Sequence, residues 1–213
     1  MTVISVNVGR LRDLTWHGRA VTTSIFKSPV PGPVAIRTLN LDGDEQSDLT
    51  VHGGVDKAVY AYPSEHYGPW GEELPGADLA WGAFGENLTV AGLLESDVRV
   101  GDRLRVGSAE LAVTQPRMPC YKLGVRFDRL DMVKRFLASG RSGFYLRVLQ
   151  EGEVEAGAAI TLLARDDAAL SIAQVAALYS ADDADPALLA RASVEAGLPE
   201  DWREYFRTRL PSA

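Results

Sequence analysis

The 213-residue chain is predicted to be mainly β, in the α+β class. A strand-rich barrel or sandwich domain over residues 1–165 is followed by a three-helix appendage over residues 166–213. Three observations predict this. Short β-branched or apolar runs recur through the first 165 residues, several with the period-two alternation of half-buried strands. Gly and Pro punctuate them. Near residue 165 the composition shifts, and the remainder carries helix start and stop signals.

The runs at 2–8, 20–27, 34–39, 58–62, 103–106, 110–114, 144–149 and 159–163 read as strands. Gly107-Ser108 supplies a two-residue hairpin turn, with Gly at the first central position. Two helices interrupt the strands. One spans 64–74 and is broken by Gly68-Pro69; the other spans 128–138, with Leu130, Val133, Lys134 and Leu137 at helical spacing. In the tail, Ser171 and Gln174 form a capping box ahead of Ile172, Val175, Ala176 and Tyr179 on one face. Asp185-Pro186 opens the next helix and Gly197 closes it. Pro199 begins the last, with Trp202, Tyr205, Phe206 and Leu210 along one stripe. Helices of about ten residues do not stand alone in water, so these pack on the barrel and their aromatics read as core.

A net charge of −7 disfavours nucleic-acid polymers, because a broad basic surface is needed to displace their counterions. Residues 117–147 nevertheless carry a local balance of +6, which suits a small anionic ligand. Arg129, Lys134 and Arg135 within it read as solvated helix charges. No apolar run reaches membrane-spanning length, and Met1-Thr2-Val3-Ile4-Ser5-Val6-Asn7 lacks the basic start of a secretory signal. With a single cysteine there is no internal disulfide, so the cytoplasm is the expected compartment.

That cysteine, Cys120, lies in Gln115-Pro116-Arg117-Met118-Pro119-Cys120-Tyr121-Lys122. Prolines stiffen the segment, and flanking cations favour a thiolate, the form that attacks or binds metal. A small buried hydrophobe is the competing reading. A second string runs Asp42-Gly43-Asp44-Glu45-Gln46-Ser47-Asp48-Leu49-Thr50-Val51-His52-Gly53-Gly54. Asp44, Asp48 and His52 could form a carboxylate–imidazole metal site or simply make turns. His52 beside two glycines can approach a ligand closely and transfer a proton near neutral pH, or be a satisfied structural histidine. Gly85-Glu86-Asn87-Leu88 can hydrogen-bond a heterocycle or organise its own loop. Arg147, within Gly143-Phe144-Tyr145-Leu146-Arg147-Val148, needs an anionic partner from the protein or from a ligand phosphate. A phosphate-binding P-loop, a dinucleotide fingerprint and a nucleophile elbow are all missing from the sequence.

Taken in order, Lys27-Ser28-Pro29-Val30, Gly43 to Asp48, His52-Gly53-Gly54, Gly85 to Leu88, Gln115 to Lys122 and Gly143 to Val148 resemble MOSC-domain proteins of the YiiM type. The resemblance spans essentially the whole chain, the helical tail included. It implies a β-barrel with peripheral helices that binds the molybdenum cofactor, molybdopterin, with Cys120 as metal ligand. It implies reduction of N-hydroxylated small molecules, of the hydroxylaminopurine or amidoxime type. Lys27, Arg117, Lys122, Arg126 and Arg147 are then the candidates for the cofactor's anionic groups. His52 and Asn87 are candidates to orient the pterin or protonate the leaving oxygen. Electrons would come from a separate flavoprotein or ferredoxin-like partner, since the chain shows no flavin, haem or iron–sulfur motif. The family usually has Gly-Asp where this chain has Gly157-Ala158, a change that touches a turn. A cofactor or sulfur carrier with a Cys120 persulfide is the alternative, and the sequence leaves monomer and homodimer open.

Overall fold

The computed structural model describes residues 1–47 and 53–211. Among these described residues, twelve strands and six α-helices follow in chain order. The strands are β1 (Thr2–Val8), β2 (Arg12–Trp16), β3 (Arg19–Thr23), β4 (Ser28–Pro29), β5 (Val34–Ile36), β6 (Val59–Pro63), β7 (Leu88–Ala91), β8 (Arg103–Val106), β9 (Ala109–Pro116), β10 (Phe144–Gln150), β11 (Gly152–Val154) and β12 (Ile160–Ala164). The helices are α1 (Tyr67–Glu73), α2 (Tyr121–Phe127), α3 (Met132–Ser139), α4 (Ile172–Ser180), α5 (Pro186–Ala192) and α6 (Glu200–Thr208).

Eight strands form one sheet in the order β12-β8-β9-β10-β6-β7-β1-β4, with β11–β5 and β2–β3 as separate ribbons. All neighbours in the large sheet are antiparallel except β6 and β7. The ladder does not close into a regular barrel. The start of β1 meets the approach to β12 through one bridge, Thr2 with Ala159, supported by the Val3 N–H to the Ala158 carbonyl at 2.9 Å.

Strand β6 shows how sequence divides the interior. Its residues alternate sides, so Val59 and Ala61 join the main core while Tyr60 and Tyr62 enter a second, aromatic cluster with Trp70, Phe84 and Phe136. The main core runs without interruption into the tail. Ile172, Val175, Leu189, Leu198, Trp202 and Phe206 share it with Val6, Leu88, Leu111 and Phe144.

Several expectations hold. The Gly107-Ser108 turn joins β8 to β9, with Gly107 at φ +60°. Ser171 and Gln174 cap α4 reciprocally, and the Asp185 carboxylate accepts from the Ala187 N–H in front of Pro186. Others need correction. The run at 20–27 shortens to β3, which ends at Thr23, while β2, β4, β7 and β11 are additional strands. Helix α2 was not foreseen because Gly124 interrupts its apolar pattern. That glycine is required: a Cβ there would lie 2.7 Å from the Arg129 carbonyl and 3.3 Å from the Trp16 ring. In α3 the buried face is Met132 and Phe136, whereas Leu130 is 75% exposed. Asp128, with φ +49°, ends α2 and resets the phase, so the helix starts later than the hydrophobic spacing suggests. Gly197 does not close α5, which ends at Ala192; it lets the tail approach Val100, where a Cβ would meet Val100 Cγ1 at 2.6 Å.

Candidate functional site

Strand β9 ends at Pro116, and Arg117 to Cys120 leave the sheet before α2 begins at Tyr121. Proline supplies no N–H at 116 or 119 to extend the ladder. Cys120 is therefore held in extended backbone (φ −115°, ψ 173°), and its carbonyl accepts the Leu123 N–H at 3.0 Å. The thiol borders a cleft of about 630 Å³ that also receives Lys27, Asp44, Ser47, Lys57, Asn87, Arg117, Lys122 and Tyr145. Five of the sequence candidates, Cys120, Lys27, Asn87, Arg117 and Lys122, thus come together from distant parts of the chain.

Their internal bonds assign different parts to them. Lys27 Nζ lies 2.5 Å from the Asp44 carboxylate, which also accepts the Gly9 N–H at 2.8 Å and the Asn87 side-chain amide at 2.9 Å. Asn87 Oδ1 in turn accepts the Tyr60 N–H at 3.1 Å. Asn87 is thereby engaged on both ends of its amide and braces the Lys27–Asp44 pair from behind. Burial lowers the Lys27 pKa from its ordinary value, while the Asp44 charge opposes the shift. Lys122 Nζ donates to Ser47 Oγ at 2.6 Å, tying α2 to the acidic loop.

Arg117 is 6% exposed and sits over the rings of Tyr60 and Phe136, 5.4 and 5.0 Å from their centroids. Its buried Nη1 has no acceptor. A desolvated guanidinium N–H without a partner is costly, and such a group in a cleft wall suits an anionic ligand.

Two candidates stand elsewhere. Arg126 reaches the Asp78 carbonyl at 3.3 Å and lies against Phe26 and Phe127, outside the cleft. Arg147 finds its anion within the protein: its Nε donates to Asp56 at 2.8 Å on the exposed side of β10. The alternation of β10 explains this, with Phe144 and Leu146 facing the core. Tyr145, on the other face, reaches the cleft instead. Arg129 and Arg135 pair with Asp131 at the surface, as solvated charges do. His52 and Asp48 lie outside the described residues. Among the described residues no three His, Cys, Asp or Glu side chains gather to hold a metal ion, and the Asp44 oxygens are occupied as above.

A second cleft, of about 830 Å³, opens beyond Cys120. It shares Cys120, Met118, Lys57 and Tyr145 with the first and adds Gln115, Pro119, Tyr179, Asp201, Trp202 and Tyr205. The expectation that the tail's aromatics are core is thus only partly met. Trp202 and Phe206 are buried, but Tyr179 and Tyr205 line this cleft and remain 37% and 36% exposed. Sequence reading also missed Tyr145 and Gln115. Their signal was weak: each is a polar group in an apolar strand, the pattern already noted for Arg147. Burial raises the Tyr145 pKa above that of an ordinary phenol, so it keeps its proton and can donate a hydrogen bond between the clefts.

The chain resembles known proteins along its whole length. Residues 48–161 match the MOSC domain, and residues 170–213 match the YiiM-like, 3-alpha helix domain. The uncharacterised Bacillus subtilis protein YflK is 42% identical over 96% of this chain and 92% of its own. Protein YiiM of Escherichia coli is 39% identical over 88% of this chain and 84% of its own. A Gibberella moniliformis protein described as a reductase is 34% identical over 99% of this chain, which corresponds to 38% of that longer protein. The crystal structure of YiiM from Geobacillus stearothermophilus superposes with a TM-score of 0.82 at 40% identity, covering 99% of both chains. The chain therefore belongs to the MOSC family, in its YiiM-like branch with a three-helix C-terminal region.

Proposed function

We propose that this protein binds the molybdenum cofactor and reduces N-hydroxylated small molecules of the hydroxylaminopurine or amidoxime type. One observation carries the reading: a single cleft gathers the lone thiol, Cys120, with the basic side chains of Lys27, Lys57, Arg117 and Lys122, and Arg117 Nη1 there lacks an acceptor. This donor set fits a group that presents phosphate, a hydrogen-bonding pterin and a thiophilic metal. Membership of the MOSC family and the likeness to a protein described as a reductase support it.

When bound, the cofactor supplies the two-electron chemistry at its metal. The chain's own groups hold it. Cys120 offers the thiolate ligand, Arg117 and Lys122 offer charge for the anionic end, and the Asp44–Lys27–Asn87 cluster lines the same cleft. The reaction balances as R–NHOH + 2 e⁻ + 2 H⁺ → R–NH₂ + H₂O: the N–O bond breaks, nitrogen is reduced and water leaves. A separate flavoprotein or ferredoxin-like protein supplies the electrons, solvent supplies the two protons, and Tyr145, which lines the cleft, donates a hydrogen bond to the leaving oxygen. We assign the activity to the cytoplasm. No helix among the described residues is long and apolar enough to cross a membrane.

The test is molybdenum content after gentle purification, together with turnover of 6-hydroxylaminopurine in the presence of an electron-donor protein. Cys120→Ser is expected to abolish turnover and most metal retention. Full retention of both overturns the assignment of Cys120. A sulfur adduct on Cys120 by native mass spectrometry, with no turnover, identifies a carrier instead.

A further inference from the structure

The second cleft has an aromatic wall supplied by the C-terminal tail, a surface for a flat organic molecule. Helices α4 and α6 deliver Tyr179, Trp202 and Tyr205 to it, with ring centroids 5.3 Å apart for Tyr179–Trp202 and 5.0 Å for Tyr179–Tyr205. Full burial of the two tyrosines would add apolar contact, yet both stay about one-third exposed where they line the cleft, Tyr205 with Arg209 against its ring. In the same lining, Gln115 is 3% exposed and its Oε1 accepts no hydrogen bond. A buried acceptor without a partner calls for an N–H or O–H from an occupant. Because Cys120, Met118, Lys57 and Tyr145 border both clefts, an occupant of the aromatic cleft adjoins the thiol.

We propose that the aromatic cleft is the substrate chamber, and that the tail's Tyr179, Trp202 and Tyr205, with Gln115, select planar heteroaromatic hydroxylamines over aliphatic amidoximes. This rests on the reductase reading above. The physical basis is the π-face: a heteroaromatic ring stacks on the tyrosines, whereas an aliphatic amidoxime offers no ring to stack. Gln115 Oε1 accepts a ring or exocyclic N–H, and the hydroxylamino group is then directed toward Cys120. The tail is thus the specificity element of the protein as well as a packing unit.

The experiment is calorimetric titration of the purified protein, without electron donor, by 6-hydroxylaminopurine and by acetamidoxime. Wild type is expected to bind the purine more tightly. Tyr205→Ala should weaken purine binding about tenfold and leave acetamidoxime binding unmoved, Tyr205→Phe should restore it, and Gln115→Leu should weaken it. Molybdenum content of each variant, measured alongside, separates the two ideas. Tyr205-dependent purine binding in a protein that never turns over supports the chamber while removing the reductase reading. Turnover of both substrates, with purine affinity unchanged in Tyr205→Ala and Gln115→Leu, overturns the chamber and leaves the reductase reading standing. Absence of purine binding to wild type also overturns the chamber.

Discussion

Arg117 illustrates how a residue proposed to bind the cofactor sets itself against the fold that carries it. Its guanidinium is buried among Tyr60, Phe136 and Tyr145, and one of its nitrogens finds no acceptor. Removing a charge from water without full compensation is unfavourable, so the ligand-free protein carries this as a standing cost. Arg117→Met is expected to raise the thermal midpoint of the ligand-free protein by about 2–4 °C, equivalent to ~1 kcal/mol. The same variant should lose cofactor affinity; differential scanning calorimetry and metal analysis check the two halves. At this scale the sequence is informative about kind and silent about partners. The cations beside Cys120 were visible as a basic segment, but nothing in the chain showed that Lys27 would be neutralised by Asp44, seventeen residues on, or that Arg147 would be claimed by Asp56. Such pairings depend on sheet register, which is a property of several strands together.

At the scale of elements, the junction of β6, β9 and β10 fixes where Arg117 points. Gly143, at φ +60°, lies directly before β10, and a Cβ there would meet the Ala61 carbonyl at 2.5 Å and the rings of Tyr60 and Tyr62 at 2.8 Å. Its own carbonyl accepts the Arg117 N–H at 3.4 Å, and its N–H donates to Glu95 at 2.6 Å. Gly143→Ala is accordingly expected to destabilise the protein by about 3 kcal/mol and to disturb the Arg117 side of the cleft. Urea denaturation gives the first quantity. The strongly patterned elements were legible: β6, β10 and the capped α4 follow from alternation and a capping box. The short ones were not. Strands β4, β7 and β11 have two to four residues each, too few for a periodicity, and they exist because neighbouring strands offer them open ladder positions.

For the molecule as a whole, the decisive fact is that sheet and tail share one core. Phe206 and Trp202 belong to the same buried cluster as Val6, Leu111 and Phe144. Phe206→Ala should therefore cost about 3–5 kcal/mol, well beyond what an appended helix at the surface would register. Unfolding followed through Trp202 should coincide with unfolding followed through Trp70, and two separate transitions would contradict a shared core. The sequence marked the compositional change near residue 165 and, through helices too short to stand alone, that the tail packs on the sheet domain, but not which residues meet, because burial between distant segments leaves no local pattern. Continuity also orders events in time. The walls of the thiol-bearing cleft span Thr23 to Tyr145, and the aromatic cleft awaits Tyr205. A growing chain therefore holds every lining residue of the thiol-bearing cleft about sixty residues before it holds those of the aromatic one, and because sheet and tail share a core neither wall is firm until Phe206 has been made.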